Sequence, residues 1–182
     1  MSGSKTGKSD PAVIKELCGA CGLCCNGAIF ADVQLRAKDD TTRLRSLGLE
    51  IRNPFRSRVL KFFQPCAAHQ GCKCRIYSER PQYCREFECA LLRKVYSKRI
   101  TKSAALRIIR QAKEKLATIN EVLEQLGNND ETVSHRLRFK QVSREMKQKE
   151  ANQAQAALFS DLGLAVHEMN LLLAESFYPG QP

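Results

Sequence analysis

The stretch Cys18-Gly-Ala-Cys21-Gly-Leu-Cys24-Cys25 holds four thiols in eight residues, and three of them follow a C-x2-C-x2-C spacing. Two intervening residues allow neighbouring thiolates to converge on one metal ion or cluster. Cys24 and Cys25 are adjacent, so their side chains are expected to diverge and at least one of them to serve a second centre. The stretch therefore predicts that cysteines elsewhere in the chain complete its sites.

A second cysteine-rich stretch supplies them, between Cys66 and Cys89. It contains five cysteines and one histidine, namely Cys66, His69, Cys72, Cys74, Cys84 and Cys89. Cys72 and Cys74 are two residues apart and can share one face of an extended segment. Cys66-x2-His69 has the spacing of metal ligands, although a solvated loop histidine fits the same sequence. We expect this stretch to fold back onto Cys18–Cys25 across the intervening 40 residues or so.

The redox setting of the chain decides how nine cysteines are interpreted. The N-terminal residues 1–10 are polar and lack the apolar region of a secretory signal. No uninterrupted apolar run approaches the roughly 20 residues that span a bilayer. These features predict a cytoplasmic protein without a membrane segment. Thiols stay reduced in the cytosol, so dense cysteines there indicate metal or redox chemistry rather than a disulfide framework.

All nine cysteines are therefore candidate metal ligands: Cys18, Cys21, Cys24, Cys25, Cys66, Cys72, Cys74, Cys84 and Cys89. Two zinc sites of four thiolates each would use eight of them. One iron–sulfur cluster would use C-x2-C-x2-C and a remote cysteine, leaving the others for zinc or as free thiols. The spacing leaves Zn2+ and an iron–sulfur cluster undecided. It differs from the C-x3-C-x2-C pattern of radical SAM enzymes and argues against that chemistry.

The combined motifs resemble a known family. The sequence Cys18-x2-Cys21-x2-Cys24-Cys25, followed by Pro65-Cys66 and Cys74-Arg-Ile-Tyr-Ser-Glu-Arg-Pro81-x2-Cys84-Arg-Glu-Phe87, is similar to the zinc- or iron-chelating CxxCxxCC proteins, often called YkgJ-like. The resemblance covers residues 18–89 and implies about eight metal-chelating cysteines without an assigned reaction. With nine cysteines present, either Cys72 or Cys89 is the extra one. Flagellin lysine-N-methylases carry a similar cysteine domain, so the resemblance also admits an iron–sulfur-dependent protein-modifying enzyme.

The fold is predicted to be mainly α, with an irregular, metal-stapled cysteine module that contains little β-structure. Within this module, Asp39-Asp40 at the start and Gly48 at the end predict a short capped helix over 41–47, and Pro54 predicts a loop. Apolar residues recur at spacings of four and three from Ala105 to Leu126, which predicts a long amphipathic helix that Gly127 ends. A second helix is expected from Glu131 or Thr132, forming a helical hairpin or small bundle, and a third over 156–178 with a break near Gly163. The predicted regions are a disordered lead (1–11), the cysteine module (12–90), a helical region packed on it (91–178) and a tail (179–182).

The net charge of +11 divides into +6 over the first 90 residues and +5 over the rest. Cysteine thiolates bound to metal would offset much of the first excess but none of the second. Nine cations accompany one acid, Glu114, over residues 91–116: Arg93, Lys94, Lys98, Arg99, Lys102, Arg107, Arg110, Lys113 and Lys115. This basic stripe over 93–115 is either a solvated helix face or a surface for RNA or an acidic protein. The sequence contains no spaced set of catalytic residues, so it leaves enzymatic activity undecided.

Overall fold

The computed structural model describes residues 11–53, 59–148 and 152–178. The chain is mainly helical, as predicted, with 58% helix and 7% strand, so its core is built by helix packing. The predicted lead (except Pro11), the loop expected at Pro54 and the predicted tail lie outside the described residues.

The region before residue 90 consists of short elements joined by turns. In chain order they are α1 (Pro11–Cys21), β1 (Asp32–Gln34), α2 (Thr41–Ser46), β2 (Lys61–Phe63), β3 (His69–Gln70), β4 (Lys73–Cys74), a 3-10 helix (Tyr77–Glu79) and α3 (Gln82–Glu86). The α2 helix begins where the acidic pair predicted it, because the Asp40 carboxylate accepts the backbone N–H of Arg43 at 2.9 Å.

The strands form two small antiparallel pairs. β1 pairs with β2, placing Val33 opposite Phe62, and β3 pairs with β4, placing His69 opposite Cys74. Both pairs are too short to form a sheet with its own core. The β1–β2 pair joins segments that are distant in sequence, whereas β3 and β4 form a local hairpin.

The second half of the chain contains the short α4 (Ala90–Tyr96) and three longer helices, α5 (Lys102–Gln125), α6 (His135–Gln148) and α7 (Gln153–Ser176). The apolar face predicted for α5, which we call the α5 seam, is confirmed. Five of its residues are buried: Ala105, Ile109, Ala112, Ile119 and Leu123. Helix α6 begins later than predicted. The Asp130 side chain accepts hydrogen bonds from the backbone N–H and the hydroxyl of Thr132, which stabilises a turn ahead of the helix.

Of the predicted arrangements, a helical hairpin or a small bundle, the structure has the small bundle. Helix α5 packs most extensively against α7 and also against α1, whereas its contact with α6 is smaller. The break expected near Gly163 was wrong, because α7 is continuous from Gln153 to Ser176. An isolated glycine lowers helix propensity by about 1 kcal/mol, which packing against α5 can offset.

Buried apolar side chains form two clusters. The larger combines Leu17 and Leu23 from the first cysteine region with residues of α4, α5, α6 and α7, including Ile109, Leu123 and Leu173. The smaller has seven buried members, all within the first half: Val33, Leu35, Leu44, Leu49, Phe62, Ala68 and Ile76. The larger core thus contains residues from both predicted regions.

Helix α7 is also long and apolar enough to cross a membrane by length and composition, with 24 residues and a mean hydropathy of 1.2 in its most apolar window. These two measures are weak evidence, because a core helix satisfies them as well. One side of α7 lies in the core, where Leu162, Met169 and Leu173 are fully buried. On its other side Leu164 and Leu171 are more than half exposed.

Candidate metal centre

All nine cysteines line a single cavity of about 320 Å³, and all nine are free thiols. Apolar side chains form most of the remaining wall. Among the described residues that line it, the charged ones are Lys15, Lys73 and Arg80, and none is a carboxylate. The cavity therefore offers sulfur ligands and positive charge.

The first cysteine stretch is partly helical rather than a loop. Helix α1 continues through Cys21, so Cys18 and Cys21 lie three residues apart on the same helix face. Gly22 ends the helix with a positive φ of 70°. A Cβ at this position would lie 2.8 Å from His69 Nε2 and 3.3 Å from the Cα of Cys72. Glycine is thus required here both by the backbone and by the close approach of the β3–β4 hairpin.

The second stretch folds back onto the first, as the sequence led us to expect. The backbone N–H of Cys66 donates a hydrogen bond of 2.8 Å to the carbonyl oxygen of Cys25. The β3–β4 hairpin covers Gly22 from the other side. These contacts bring two cysteine stretches that are 40 residues apart in sequence to the same cavity.

The electrostatic repulsion between thiols is concentrated within two groups of four cysteines, with further repulsion of Cys25 on Cys24 and of Cys18 on Cys25. The first thiol set consists of Cys18, Cys21, Cys24 and Cys89. Burial is the largest cause of the raised pKa of Cys18, Cys21 and Cys24, and repulsion from Cys89 contributes to the pKa of all three. Cys89 reaches this set as the residue that precedes α4.

The second thiol set consists of Cys25, Cys66, Cys74 and Cys84. Burial first, and then repulsion from Cys66, Cys84 and Cys74, raises the pKa of Cys25 to about 12. Burial and then Cys66 raise the pKa of Cys84 to about 12 as well. The largest thiol interactions of the adjacent Cys24 and Cys25 therefore lie in different sets.

Cys72 stands apart from both groups. Its sulfur accepts a hydrogen bond of 3.0 Å from Nζ of Lys113 on α5. Cys72 also raises the pKa of the Cys21 thiol, but its effect there is smaller than those of Cys89 and Cys18. The sequence left the extra cysteine as either Cys72 or Cys89, and Cys89 is the one close to three other thiols. The Lys113 contact carried no signal in the sequence, because 41 residues separate its partners.

The seven thiols whose pKa is raised are protonated at neutral pH when no metal is bound: Cys18, Cys21, Cys24, Cys25, Cys66, Cys84 and Cys89. Metal binding would then release protons from these sites. Among the described residues, no three side chains of ligating type converge closely enough to hold a metal ion in their present positions. The sulfurs of each set would therefore have to turn toward one another on binding.

Backbone amides already point at several of the sulfurs. The N–H groups near Ala68 and His69 lower the pKa of Cys66, and those near Leu91 and Leu92 lower the pKa of Cys89. In both cases burial has the larger effect and the net pKa is raised. Hydrogen bonds of this kind stabilise thiolate and orient it in a metal site.

His69 lies beside the cysteines but not in an evident coordinating position. Its Nε2 is buried without a hydrogen-bond partner and is close to Gly22. Burial lowers the pKa of the imidazole, so the ring is neutral at pH 7. A neutral ring nitrogen without a partner is compatible with a ligand, and the assignment of His69 stays open between ligand and neighbour.

The predicted basic stripe is divided among several intramolecular contacts. Lys94 donates to the carbonyl oxygen of Glu175, Lys102 pairs with Glu16 at 2.9 Å and Lys115 pairs with Glu168 at 2.6 Å. Lys113 is engaged by Cys72. These side chains are used in part to join α4 and α5 to α1, α7 and the hairpin, which a reading of charge alone could not show. The proposed RNA or acidic-protein partner of the stripe stays a prediction.

Comparison with known proteins gives one family match. The model of the CxxCxxCC family, described as "putative zinc- or iron-chelating domain", matches residues 17–122. The match extends beyond the cysteines and includes most of α5, the helix whose Lys113 contacts Cys72. No curated protein and no solved structure matches the chain. Since the match covers more than half of its length, the chain belongs to the CxxCxxCC family.

Proposed function

We propose that this protein chelates two metal centres, one in each thiol set, with zinc or iron as the metal. The observation that carries the proposal is the division of eight cavity-lining thiols into two groups of four. Each group combines cysteines from both stretches of the sequence. Four thiolates complete a tetrahedral site without water, which is typical of a structural rather than a catalytic zinc site.

The donor chemistry of the cavity supports this function. Thiolates are soft ligands that favour zinc, Cu(I) and iron–sulfur clusters, whereas magnesium and calcium require oxygen ligands. The described lining residues include no carboxylate and three cations. Two sites of four thiolates and one divalent ion would each carry a charge of about −2, which cationic surroundings stabilise.

The two thiol sets suit different metals. The first contains C-x2-C-x2-C and the remote Cys89, the arrangement that iron–sulfur clusters use. The second draws single cysteines from the chelating stretch, a loop, β4 and α3, so its sulfurs can be arranged around one zinc ion. If iron is present, we expect it in the first thiol set.

The mechanical role of these sites follows from where their ligands lie. The first set joins α1 to the start of α4, and the second joins the Cys25 turn to β4 and α3. In the second set, metal–thiolate bonds would thus crosslink segments that share only short strands and a small apolar core. The free energy of metal binding would be folding free energy for this region.

The direct test is to purify the protein anaerobically and to measure zinc, iron and acid-labile sulfide per chain, with a visible absorption spectrum. We expect two zinc ions, or one zinc ion and an iron–sulfur cluster that absorbs at roughly 400 nm. Fewer than one metal per chain, with all nine thiols freely titratable, would refute the proposal.

Three variants test the division of the thiols. Cys84→Ser should abolish the second centre and leave the first, whereas Cys18→Ser should do the reverse. Cys72→Ser is the matched control and should retain both metals. Loss of a metal in Cys72→Ser, or loss of both in Cys84→Ser with the fold preserved, would show that the thiols are grouped differently.

A further inference from the structure

One half-buried cation, Arg80, lines the cavity that both thiol sets share. Arg80 follows the 3-10 helix and precedes Pro81, which favours an extended backbone at the residue before it. The backbone of Arg80 is extended, with φ −55° and ψ 144°. Its side chain is half-buried and lines the cavity together with the thiols of both sets.

Two contacts with Tyr77 hold the guanidinium in place. Its Cζ lies 3.7 Å from the centre of the Tyr77 ring, and its Nε donates a hydrogen bond of 3.0 Å to the Tyr77 carbonyl oxygen. Stacking on an aromatic ring leaves the outer N–H groups of an arginine directed away from the ring in its own plane. Within the described parts of the chain, Arg80 forms no ion pair with a carboxylate.

Arg80 is the cation that the cavity partly encloses. Lys15 and Lys73, the other charged residues that line the cavity in the described part of the chain, are exposed, whereas Arg80 is half-buried. The thiols of both sets line this same cavity, so the guanidinium shares it with all of them.

Two loaded centres would bring about four negative charges into one cavity, and like charges at short range repel more strongly in a protein interior than in water. We propose that Arg80 is a positioning residue whose guanidinium, held on Tyr77 in the cavity that both thiol sets line, allows both centres to hold metal at the same time. This inference rests on the proposed function. It adds that the two centres depend on a shared charge and are not independent.

The experiment measures zinc affinity by anaerobic competition with a chelator, using Zn2+ alone as the probe. Arg80→Gln removes the charge and keeps much of the side-chain length. Arg85→Gln is the matched control, because Arg85 lies exposed on α3, five residues further along the chain. Loss of groups that support metal ligands typically costs 10- to 100-fold in affinity. We expect Arg80→Gln to weaken the second zinc at least 10-fold relative to Arg85→Gln.

Combination with the cysteine variants separates sharing from a local effect. In Cys18→Ser, which keeps the second set, and in Cys84→Ser, which keeps the first, Arg80→Gln should weaken the remaining zinc in both backgrounds. Weakening in one background only would assign Arg80 to one set and overturn the proposal. Equal affinities of Arg80→Gln and Arg85→Gln, in a chain that binds two zinc ions, would overturn it too.

Two further variants keep the test decisive if Arg80→Gln does not fold. Arg80→Lys retains the charge, so its affinity for the second zinc should lie within about 10-fold of that of the wild-type chain. Where Arg80→Gln folds, Arg80→Lys should bind the second zinc more tightly than Arg80→Gln does. Tyr77→Leu releases the guanidinium from its ring and should weaken both zinc ions; unchanged affinities would contradict the inference. Failure of the wild-type chain to bind two metals would refute the proposed function itself, which is a separate result.

Discussion

The two halves of this molecule achieve order by different means. The helices α5 and α7 bury continuous apolar faces against each other, and the larger core is built mainly on them. The cysteine region has short helices, two-stranded ribbons and a core of seven buried apolar residues. So small a core contributes little net stability after the cost of ordering the chain. Thiols of the second set, Cys66, Cys74 and Cys84, pack against this small core, where apolar burial is least.

Removal of metal should produce the largest difference in stability between the two halves. Structural zinc sites bind with about 10–16 kcal/mol in small domains, so a chelator should unfold the cysteine region while much of the helical signal of α5 and α7 remains. Guanidinium unfolding followed by circular dichroism and by thiol accessibility, with and without chelator, checks this. Loss of helix and exposure of thiols in one step would show that the two halves form a single cooperative unit.

A cavity in the larger core should have the reverse effect. Leu123 is fully buried in α5, and Leu123→Ala is expected to lower the free energy of unfolding by about 2–5 kcal/mol. Metal content per chain should stay at the wild-type value, because the substitution lies away from the thiols. Chemical denaturation and elemental analysis on the same sample measure both quantities. A simultaneous loss of metal would mean that the packing of α5 also sets the geometry of the thiol sets.

The buried histidine of the helical half predicts a pH dependence. Burial, followed by the charges of Arg136 and Arg138, lowers the pKa of His135 to about 4 from 6.5. Above pH 6.5, His135 is neutral in both the folded and the unfolded chain. Between pH 6.5 and 4, the imidazole is protonated in the unfolded chain but still neutral in the folded one. Stability should therefore fall on acidification, by at most about 1.4 kcal/mol per pH unit.

His135→Gln is the control for this titration, since acidic groups titrate alike in both chains. The variant should lose less stability between pH 6.5 and 4 than the wild-type chain, as measured by denaturation at several pH values. Parallel curves for the two chains would contradict the lowered pKa.

The smallest expected effect concerns a helix cap in the cysteine region. Asp40 accepts the N–H of Arg43 at the start of α2, so Asp40→Ala should cost about 1 kcal/mol. Asp40→Asn caps equally well and should be nearly neutral. If metal supplies most of the stability of this half, the cost should be measurable in the loaded protein without any change in metal content.

Sequence reasoning succeeded where the signal was local. The α5 seam and the Asp40 cap could be predicted because they depend on residues a few positions apart. The continuity of α7 was missed, because its apolar residues surround the helix and Gly163 suggested a break. The family resemblance was carried by the cysteine spacing and is confirmed by the match over residues 17–122.

The grouping of the thiols could not be predicted in the same way. It depends on the hydrogen bond between Cys66 and Cys25 and on the approach of the hairpin to Gly22, which join distant segments. The contact between Arg138 and the side chains of Asn120 and Asn128, which ties α6 to the end of α5, had no signal in the sequence either. A buried arginine is unusual, and its partners are fixed only by the tertiary fold.

The adjacency of Cys24 and Cys25 has a mechanical consequence. Consecutive Cα atoms are about 3.8 Å apart across a rigid peptide bond. The two coordination spheres would therefore be linked through one peptide unit, so that a shift of one would displace the other. A disturbance at the start of α4, which carries Cys89, would reach α3, which carries Cys84, through a single planar unit. The two proposed centres would therefore move as one unit together with α1, α3 and the start of α4.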